Sequence, residues 1–310
     1  MIKIDLITGF LGSGKTTFLK KYARYLMDQG KQIGILENDY GAVNVDMMLL
    51  QDLEGDQCEL EMVAGGCDYD CHKRRFKTKL ISMGMSGYDR VLVEPSGIFD
   101  VDEFFDVLYE EPLNRWYEIG NVIAIVDAGL EKDLSRESDY LLASQTADAG
   151  IIILSRSQEA TETQMRETIA HLNHAMELVQ CRRRFQDEII RKDWKDLTAQ
   201  DFARIETCGY VAEDHVKFLM NDDRSYSSLY FMNVSLSRQS LEDIVRKLFE
   251  DPGCGKVFRM KGFIRTEDDH WLELNATRNK ITFCPIARGQ EVLIVIGEEL
   301  SEEHIRAYFE

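Results

Sequence analysis

Positive charge is scarce in this chain: 37 lysines and arginines stand against 55 aspartates and glutamates, a formal net charge of −18 over 310 residues. Phosphate backbones are repelled by such a balance, which excludes a nucleic-acid partner unless basic residues gather locally. The one basic run, Arg182-Arg183-Arg184, is short and soon followed by Asp187 and Glu188, so it reads as a solvated helix face. Long apolar runs are missing as well, and nothing approaches the length of a membrane span. The opening Met1-Ile2-Lys3-Ile4-Asp5 reads as the start of a strand rather than a signal peptide. A disulfide framework is absent too, because the seven cysteines are odd in number and widely scattered. There are no internal repeats or low-complexity tracts. These absences describe a reduced, cytoplasmic protein with no membrane or nucleic-acid partner, long enough for two domains.

What is present is concentrated near the N-terminus. Gly9-Phe10-Leu11-Gly12-Ser13-Gly14-Lys15-Thr16 spells G-x-x-x-x-G-K-[ST], the phosphate-binding loop of nucleoside triphosphatases. The glycines let the backbone curl so that its N–H groups face phosphate oxygens. Lys15 reaches the terminal phosphates, and the Thr16 hydroxyl is a ligand for Mg²⁺. Residues 2–7 alternate as a strand with one apolar side, and residues 17–29 have helical spacing that ends at Gly30. Strand, glycine loop and helix in that order complete the motif, with the helix N-terminus adding positive potential. The chain is expected to bind a nucleoside triphosphate.

Apolar strands then alternate with helical patterns to about residue 180. Strands are expected at residues 32–36, 90–93, 121–126 and 150–154, with helices at 72–83, 101–109, 139–146 and 161–179. Continuous apolar strands separated by helices indicate an α/β fold, a mostly parallel sheet covered by helices on both faces. Residues 208–228 carry little periodicity. Closely spaced strand-like runs follow at 229–236, 257–264, 271–274, 280–283 and 291–296, with a helix at 241–249 and another after Ser301. This pattern predicts a nucleotide-binding domain over residues 1–206, a linker over 207–227, and a smaller antiparallel α+β domain over 228–310.

Three further segments carry chemistry. Glu37-Asn38-Asp39-Tyr40-Gly41 directly follows the second strand, where loops of a parallel sheet face the ligand crevice. Asp39 and Glu37 are thus placed to touch Mg²⁺, a catalytic water or a second metal. Val91-Leu92-Val93-Glu94-Pro95-Ser96-Gly97 ends a buried strand in a carboxylate. Glu94 suits the Mg²⁺ hydration shell, and the Gly97 N–H suits the γ-phosphate. Gly66-Cys67-Asp68-Tyr69-Asp70-Cys71-His72 places two thiols and an imidazole within six positions. That set suits Zn²⁺ best, then Co²⁺ or Ni²⁺, with Asp68, Asp70 or Glu37 as a further ligand. Elsewhere, His171 and His174 read as a surface pair, and the isolated Cys58, Cys181, Cys208, Cys254 and Cys284 as small apolar fillers.

Taken together, GFLGSGKTT, ENDYG, AGGC with CH, VEPSG, VIAIVDA and the C-terminal GFIR and IGEELSEEHIRAYF resemble the CobW-like metallochaperone GTPases, relatives of HypB and UreG. The resemblance runs in order through essentially the whole chain. It implies a P-loop GTPase domain followed by a small CobW C-terminal domain. It further implies phosphate and Mg²⁺ contacts from Gly9, Gly12, Ser13, Gly14, Lys15, Thr16 and Thr17, with Asp39 in the first switch and Glu94 and Gly97 in the second. Cys67, Cys71 and His72 would form the metal loop that joins the switches. A client metalloprotein or corrinoid enzyme is the implied partner, and a homodimer is compatible.

Two departures from the family pattern matter. The family loop G-C-x-C-C becomes Gly66-Cys67, three residues, then Cys71-His72, so an imidazole replaces a thiolate and the donor set hardens. Where the family carries N/T-K-x-D, this chain reads Ser155-Arg156-Ser157-Gln158. The missing aspartate accepts two guanine N–H bonds, whereas Gln158 offers one acceptor and one opposing donor. Arg156 has the reach to lie over the base, and Glu159 is one position from restoring a carboxylate. GTP is expected from the resemblance, and ATP from the amide chemistry. No arginine finger is identifiable in the chain, so slow intrinsic turnover is expected.

Overall fold

The computed structural model describes residues 1–10, 12–39, 45–64, 69–97, 99, 101–131, 134–186, 188–212, 226–234, 236–266, 268, 270–278, 280–287 and 289–309. The chain divides into two compact units, Met1–Leu219 and Met220–Glu310.

In chain order the first unit contains β1 (Ile2–Thr8), α1 (Lys15–Asp28), β2 (Ile33–Asp39), α2 (Val45–Leu50), β3 (Cys58–Ala64), α3 (Tyr69–Met83), β4 (Arg90–Pro95) and α4 (Val101–Tyr109). There follow α5 (Leu113–Trp116), β5 (Tyr117–Asp127), α6 (Arg136–Ala147), β6 (Ile151–Ser155), α7 (Glu162–Leu178), β7 (Ile189–Ile190) and α8 (Ala199–Glu206). The seven strands are parallel, in the order β3-β2-β4-β1-β5-β6-β7. Each face of the sheet has its own apolar core. Phe18, Leu19, Tyr22 and Leu26 of α1 pack on one face with Ile205 of α8. Phe76 of α3, Phe104 of α4, Leu142 of α6 and Leu172 of α7 pack on the other. This is the α/β architecture expected from strands apolar on both sides. Because β1 lies directly beside β4, the loops that leave these strands share one end of the sheet, which brings the phosphate loop to Glu94.

Several local expectations are corrected. β1 is not a one-sided strand: Asp5 is fully buried on the face opposite Ile4 and Leu6. Its carboxylate accepts hydrogen bonds from Arg90, Tyr22 (2.9 Å) and the Asn121 amide (2.9 Å). β3 shows no apolar run in the sequence because Glu59 and Glu61 interrupt it. On an edge strand those carboxylates are tolerated, Glu61 pairing with Lys79 at 2.7 Å and Glu59 accepting from Tyr88. The arginine run is not a helix face. Arg183 is buried against the Phe185 ring and donates to the carbonyls of Ala147 and Ala149, while Arg184 pairs with Glu177. A guanidinium has five donors, so Arg183 can close the end of α6 in this way while it also stands 3.7 Å from the Glu188 carboxylate. His171 is half-buried and pairs with Asp139 of α6 at 2.6 Å, whereas His174 is exposed. Cys58, Cys181 and Cys254 are buried fillers, but Cys284 is exposed. Residues 208–212 stay on the first unit, Gly209 O accepting from Val122 N (3.0 Å) and Val211 N donating to Asp148 O (3.0 Å).

The second unit contains β8 (Tyr226–Met232), α9 (Arg238–Glu250), β9 (Lys256–Arg265), β10 (Trp271–Thr277), β11 (Lys280–Ile286), β12 (Val292–Glu298) and α10 (Glu302–Arg306). Its five strands are antiparallel in the order β11-β10-β9-β12-β8. Leu241, Val245 and Leu248 of α9 and Ile305 of α10 cover one sheet face, meeting Met260, Leu274 and Val295. It is the α+β unit that the close strand spacing predicts. Among the described residues, no helix is long and apolar enough to cross a membrane.

Candidate functional site

Helices in this chain are usually closed by a side chain. Ser135, Thr161 and Thr198 accept the third-residue amides of α6, α7 and α8, the last two in reciprocal capping boxes. At α1 the pattern breaks: its N-cap is Gly14, left-handed at φ 96°, with no side-chain cap. The helix therefore begins with backbone donors and its positive dipole end facing the phosphate loop, an arrangement suited to an anion. Close approach explains a second glycine. A Cβ on Gly9 (φ 143°) would collide with the carbonyl oxygen of Ile125 on β5. Lys15 is buried and its Nζ donates to Gly9 O at 3.0 Å, so the lysine spans the loop from within.

Thr16 and Glu94 meet at the carboxyl end of the sheet: the Thr16 Oγ1 donates to Glu94 Oε1 at 2.9 Å. Glu37 on β2 stands in register with Glu94 on β4, both buried on the face covered by α1. Two adjacent carboxylates and a hydroxyl make a hard oxygen set, the donor chemistry that Mg²⁺ requires. Like charges held together in this way favour a cation between them.

The phosphate loop is tied to the next strands by Arg156. Its guanidinium pairs with Asp127 at the end of β5 and donates to Gly12 O at 2.9 Å. The residue itself is left-handed, at φ 53°. Asp127 also accepts from the Gly129 amide at 2.9 Å, which fixes its carboxylate. Arg156 is thus directed to the phosphate loop, and Gln158 and Thr17 are exposed nearby in sequence. Trp194, in the loop after β7, donates its indole N–H to Leu154 O at 3.0 Å and lies edge-on to Phe18. A Cβ on Gly14 would sit 3.3 Å from its ring. An aromatic wall therefore flanks the loop.

Several buried polar atoms at this end of the sheet have no hydrogen-bond partner among the described residues: Thr8 Oγ1 on β1, Ser13 Oγ, Ser155 Oγ on β6 and both amide atoms of Asn38 on β2. Buried polar groups are normally satisfied, and a cluster of exceptions at the carboxyl end of a parallel sheet marks a place for a polar ligand. The residues fit a nucleoside triphosphate with Mg²⁺.

The predicted metal loop is only partly on view. Residues 65–68, with Cys67 and Asp68, lie outside the described residues, as do the side chains of Asp39 and Asp70. Cys71 and His72 both lie on α3, but Cys71 is half-buried whereas His72 is fully buried. Consecutive residues leave a helix about 100° apart, so the two point differently. Among the described residues no three His, Cys, Asp or Glu side chains gather as a metal site.

Sequence reasoning assigned no role to Asp127, Gln145, Trp194 or Thr8. Asp127 carries the same signal as Glu94, a carboxylate ending a buried strand. Trp194 follows a two-residue strand too short to register. Gln145 lies inside α6, 48 residues from the loop it touches, Gly97.

Comparison with known proteins gives a consistent outcome. Residues 3–180 match the family model of the CobW/HypB/UreG nucleotide-binding domain, and residues 227–310 that of the cobalamin synthesis protein cobW C-terminal domain. The zinc chaperone YjiA of Escherichia coli is 24% identical over 348 residues, covering 99% of this chain and 98% of that protein. The zinc chaperone YeiR of Escherichia coli is 30% identical over 162 residues, 52% of this chain and 48% of the relative. The crystal structure of Zn(II)-bound YjiA GTPase from E. coli aligns with a TM-score of 0.36 at 20% identity, covering 99% and 98% of the two chains.

Proposed function

Since the chain belongs to the CobW/HypB/UreG family, we propose that it is a GTPase that couples hydrolysis to the binding and delivery of a transition metal, zinc foremost, to a client metalloprotein. The observation that carries the reading is the Thr16–Glu94 bond of 2.9 Å, which joins the phosphate loop to the strand end of the second switch. Names of relatives support the metal: two are zinc chaperones, and a Schizosaccharomyces pombe relative, 22% identical over 92% of this chain, is a zinc-regulated GTPase metalloprotein activator.

In this reading Lys15 and the amides of the loop and of α1 hold the β- and γ-phosphates and oppose the charge that develops during transfer. Thr16 and Glu94 would hold Mg²⁺, which when bound supplies positive charge against the phosphate oxygens. Gly97 offers its N–H to the γ-phosphate, and Asp39 or Glu94 orients the attacking water. Asp127 and Arg156 keep the loop in shape from the side, and Trp194 excludes water from it. Cys67, Cys71 and His72, with Glu37 as a further donor, take the zinc as cargo. The loop that carries them joins the two switches, so loss of the γ-phosphate weakens the grip on the metal. Gln158 opposes a donor to guanine, so GTP is preferred to ATP by a smaller ratio than an aspartate would give.

The divergence of Cys71 and His72 along α3 favours one alternative: a nucleotide-gated interaction protein, assisting a corrinoid or other metalloenzyme, whose loop holds no metal. Zinc bound by the reduced protein separates the two. About one ion per chain, lost in Cys67→Ala/Cys71→Ala, supports delivery; retention no better than that control supports gating alone. Competition of GTP and ATP for the same preparation reports the base preference.

A further inference from the structure

The second switch is held by a side chain to which the family reading gives no part. Gln145 lies on α6 and is 1% exposed. Its Nε2 donates to the carbonyl of Gly97 at 2.8 Å, while its Oε1 is buried without a hydrogen-bond partner among the described residues. On the other side of the same segment, Ser96 N donates to Asn38 O at 2.8 Å, and Phe99 N closes a turn on Ser96 O at 3.1 Å. Phe99 is buried edge-on to Phe76 of α3, ring centroids 6.3 Å apart. Gly97 is therefore a glycine whose flanking peptides are pinned from β2, α3 and α6. A peptide is planar, so the Phe99 N–H on Ser96 O fixes the plane that carries the Gly97 N–H. Gln145 on the Gly97 carbonyl fixes the plane on its other side. With both held, the two torsions of the glycine, otherwise the freest of any residue, are restrained.

We infer that Gln145 is a positioning residue for hydrolysis: by holding the Gly97 carbonyl while the Ser96–Phe99 turn holds the preceding peptide, it restrains the torsions of Gly97 and keeps its N–H aimed at the γ-phosphate. Its orphaned Oε1 gives the device a second setting. A buried acceptor without a partner costs free energy, and a small turn of the segment that brings an N–H to Oε1 removes that cost. A side-chain amide offers a donor and an acceptor in one group, so it can hold the segment in both settings; neither an aliphatic nor an ionised side chain can. The inference rests on the reading of Gly97 as the γ-phosphate glycine.

Steady-state GTP hydrolysis with Mg²⁺ by the full chain tests it. Gln145→Leu keeps the volume and removes both polar atoms. Its expected effect is a loss of about tenfold in kcat, the equivalent of one buried hydrogen bond, with KM within about threefold of wild type. Gln145→Glu supplies the readout that a packing role would not move. Ionised, the carboxylate faces the Gly97 carbonyl as a second acceptor; protonated, its O–H can donate as the amide does. A buried glutamate titrates well above its usual range, so its kcat relative to wild type should rise about fivefold between pH 8 and pH 6. Wild-type kcat in Gln145→Leu overturns the inference, as does a flat Gln145→Glu ratio. Should Gln145→Leu fail to fold, the Gln145→Glu ratio decides alone. A Lys15→Ala control separates the two levels. If it turns over as fast as wild type, the phosphate-loop reading fails; if it does not and the Gln145 variants behave as wild type, only the inference fails.

Discussion

The two ends of the parallel sheet both bury polar side chains, and they treat them in opposite ways. At the amino end, Asp5, Tyr22, Arg90 and Asn121 form a closed network. Arg90 donates to Asp5 and to the Tyr22 hydroxyl (3.2 Å), and Asn121 donates to Glu206 O (3.0 Å) and accepts from Gly209 N (2.9 Å). Burial pushes the Asp5 carboxyl up while Arg90 pulls it back. At the carboxyl end, Thr8, Ser13, Asn38 and Ser155 bury polar atoms that have no hydrogen-bond partner among the described residues. One end is a structural lock that joins β1, β4, β5 and α8. The other is held incomplete, as a site must be if its missing partner is a ligand. Burial alone does not distinguish them; hydrogen-bond completeness does.

This contrast can be broken at either end. Lys15→Ala should lower turnover by about 100-fold to 1,000-fold, the usual loss when a preorganised phosphate contact is removed, with the melting temperature little changed. Arg90→Met should do the reverse. An unpaired Asp5 in the core costs about 3–5 kcal/mol, read by denaturant unfolding, whereas nucleotide affinity of the folded protein stays near wild type. Adding Asp5→Asn should recover most of that loss, because the buried charge is then gone. Ser13→Ala sharpens the comparison. Removing an orphaned hydroxyl should raise the stability of the free protein by up to about 1 kcal/mol and weaken nucleotide binding about tenfold. No gain in stability would mean that the hydroxyl is satisfied by solvent.

The smallest effect is expected at α8, which leads into the lock. Asp201 is held down to about 2 by Lys192 and by Thr198, whose side chain and amide it caps. A carboxyl lowered by folding stabilises the native state above its unfolded pKa near 4, and loses that contribution as pH falls towards 2. Asp201→Asn should flatten the acid limb of the stability profile over that window and leave turnover at neutral pH unchanged.

The phosphate loop was legible because its parts are contiguous and its spacing is chemical. Glu94 was legible for a related reason, a carboxylate ending a run of apolar residues. The sheet's faces followed from strands apolar on both sides. Asp5, by contrast, looked like the polar side of an amphipathic strand, since only the fold brings Arg90 to it from 85 residues away. β3 was hidden by the glutamates that an edge position permits. Gln145 was hidden in α6, where an amide among apolar residues carries no local signal. Arg183 was misread because the carbonyls it closes, those of Ala147 and Ala149 at the end of α6, lie more than thirty residues away. What escaped the sequence is in each case a pairing between distant segments, which neither periodicity nor motif records.

The most direct test of the account is the Zn²⁺ affinity of the reduced, full-length protein, measured with Mg²⁺ and either GDP or a non-hydrolysable GTP analogue. If the switches and the metal loop act together, the two affinities differ by about tenfold or more, a coupling of roughly 1.4 kcal/mol. Equal affinities in the two nucleotide states would contradict it.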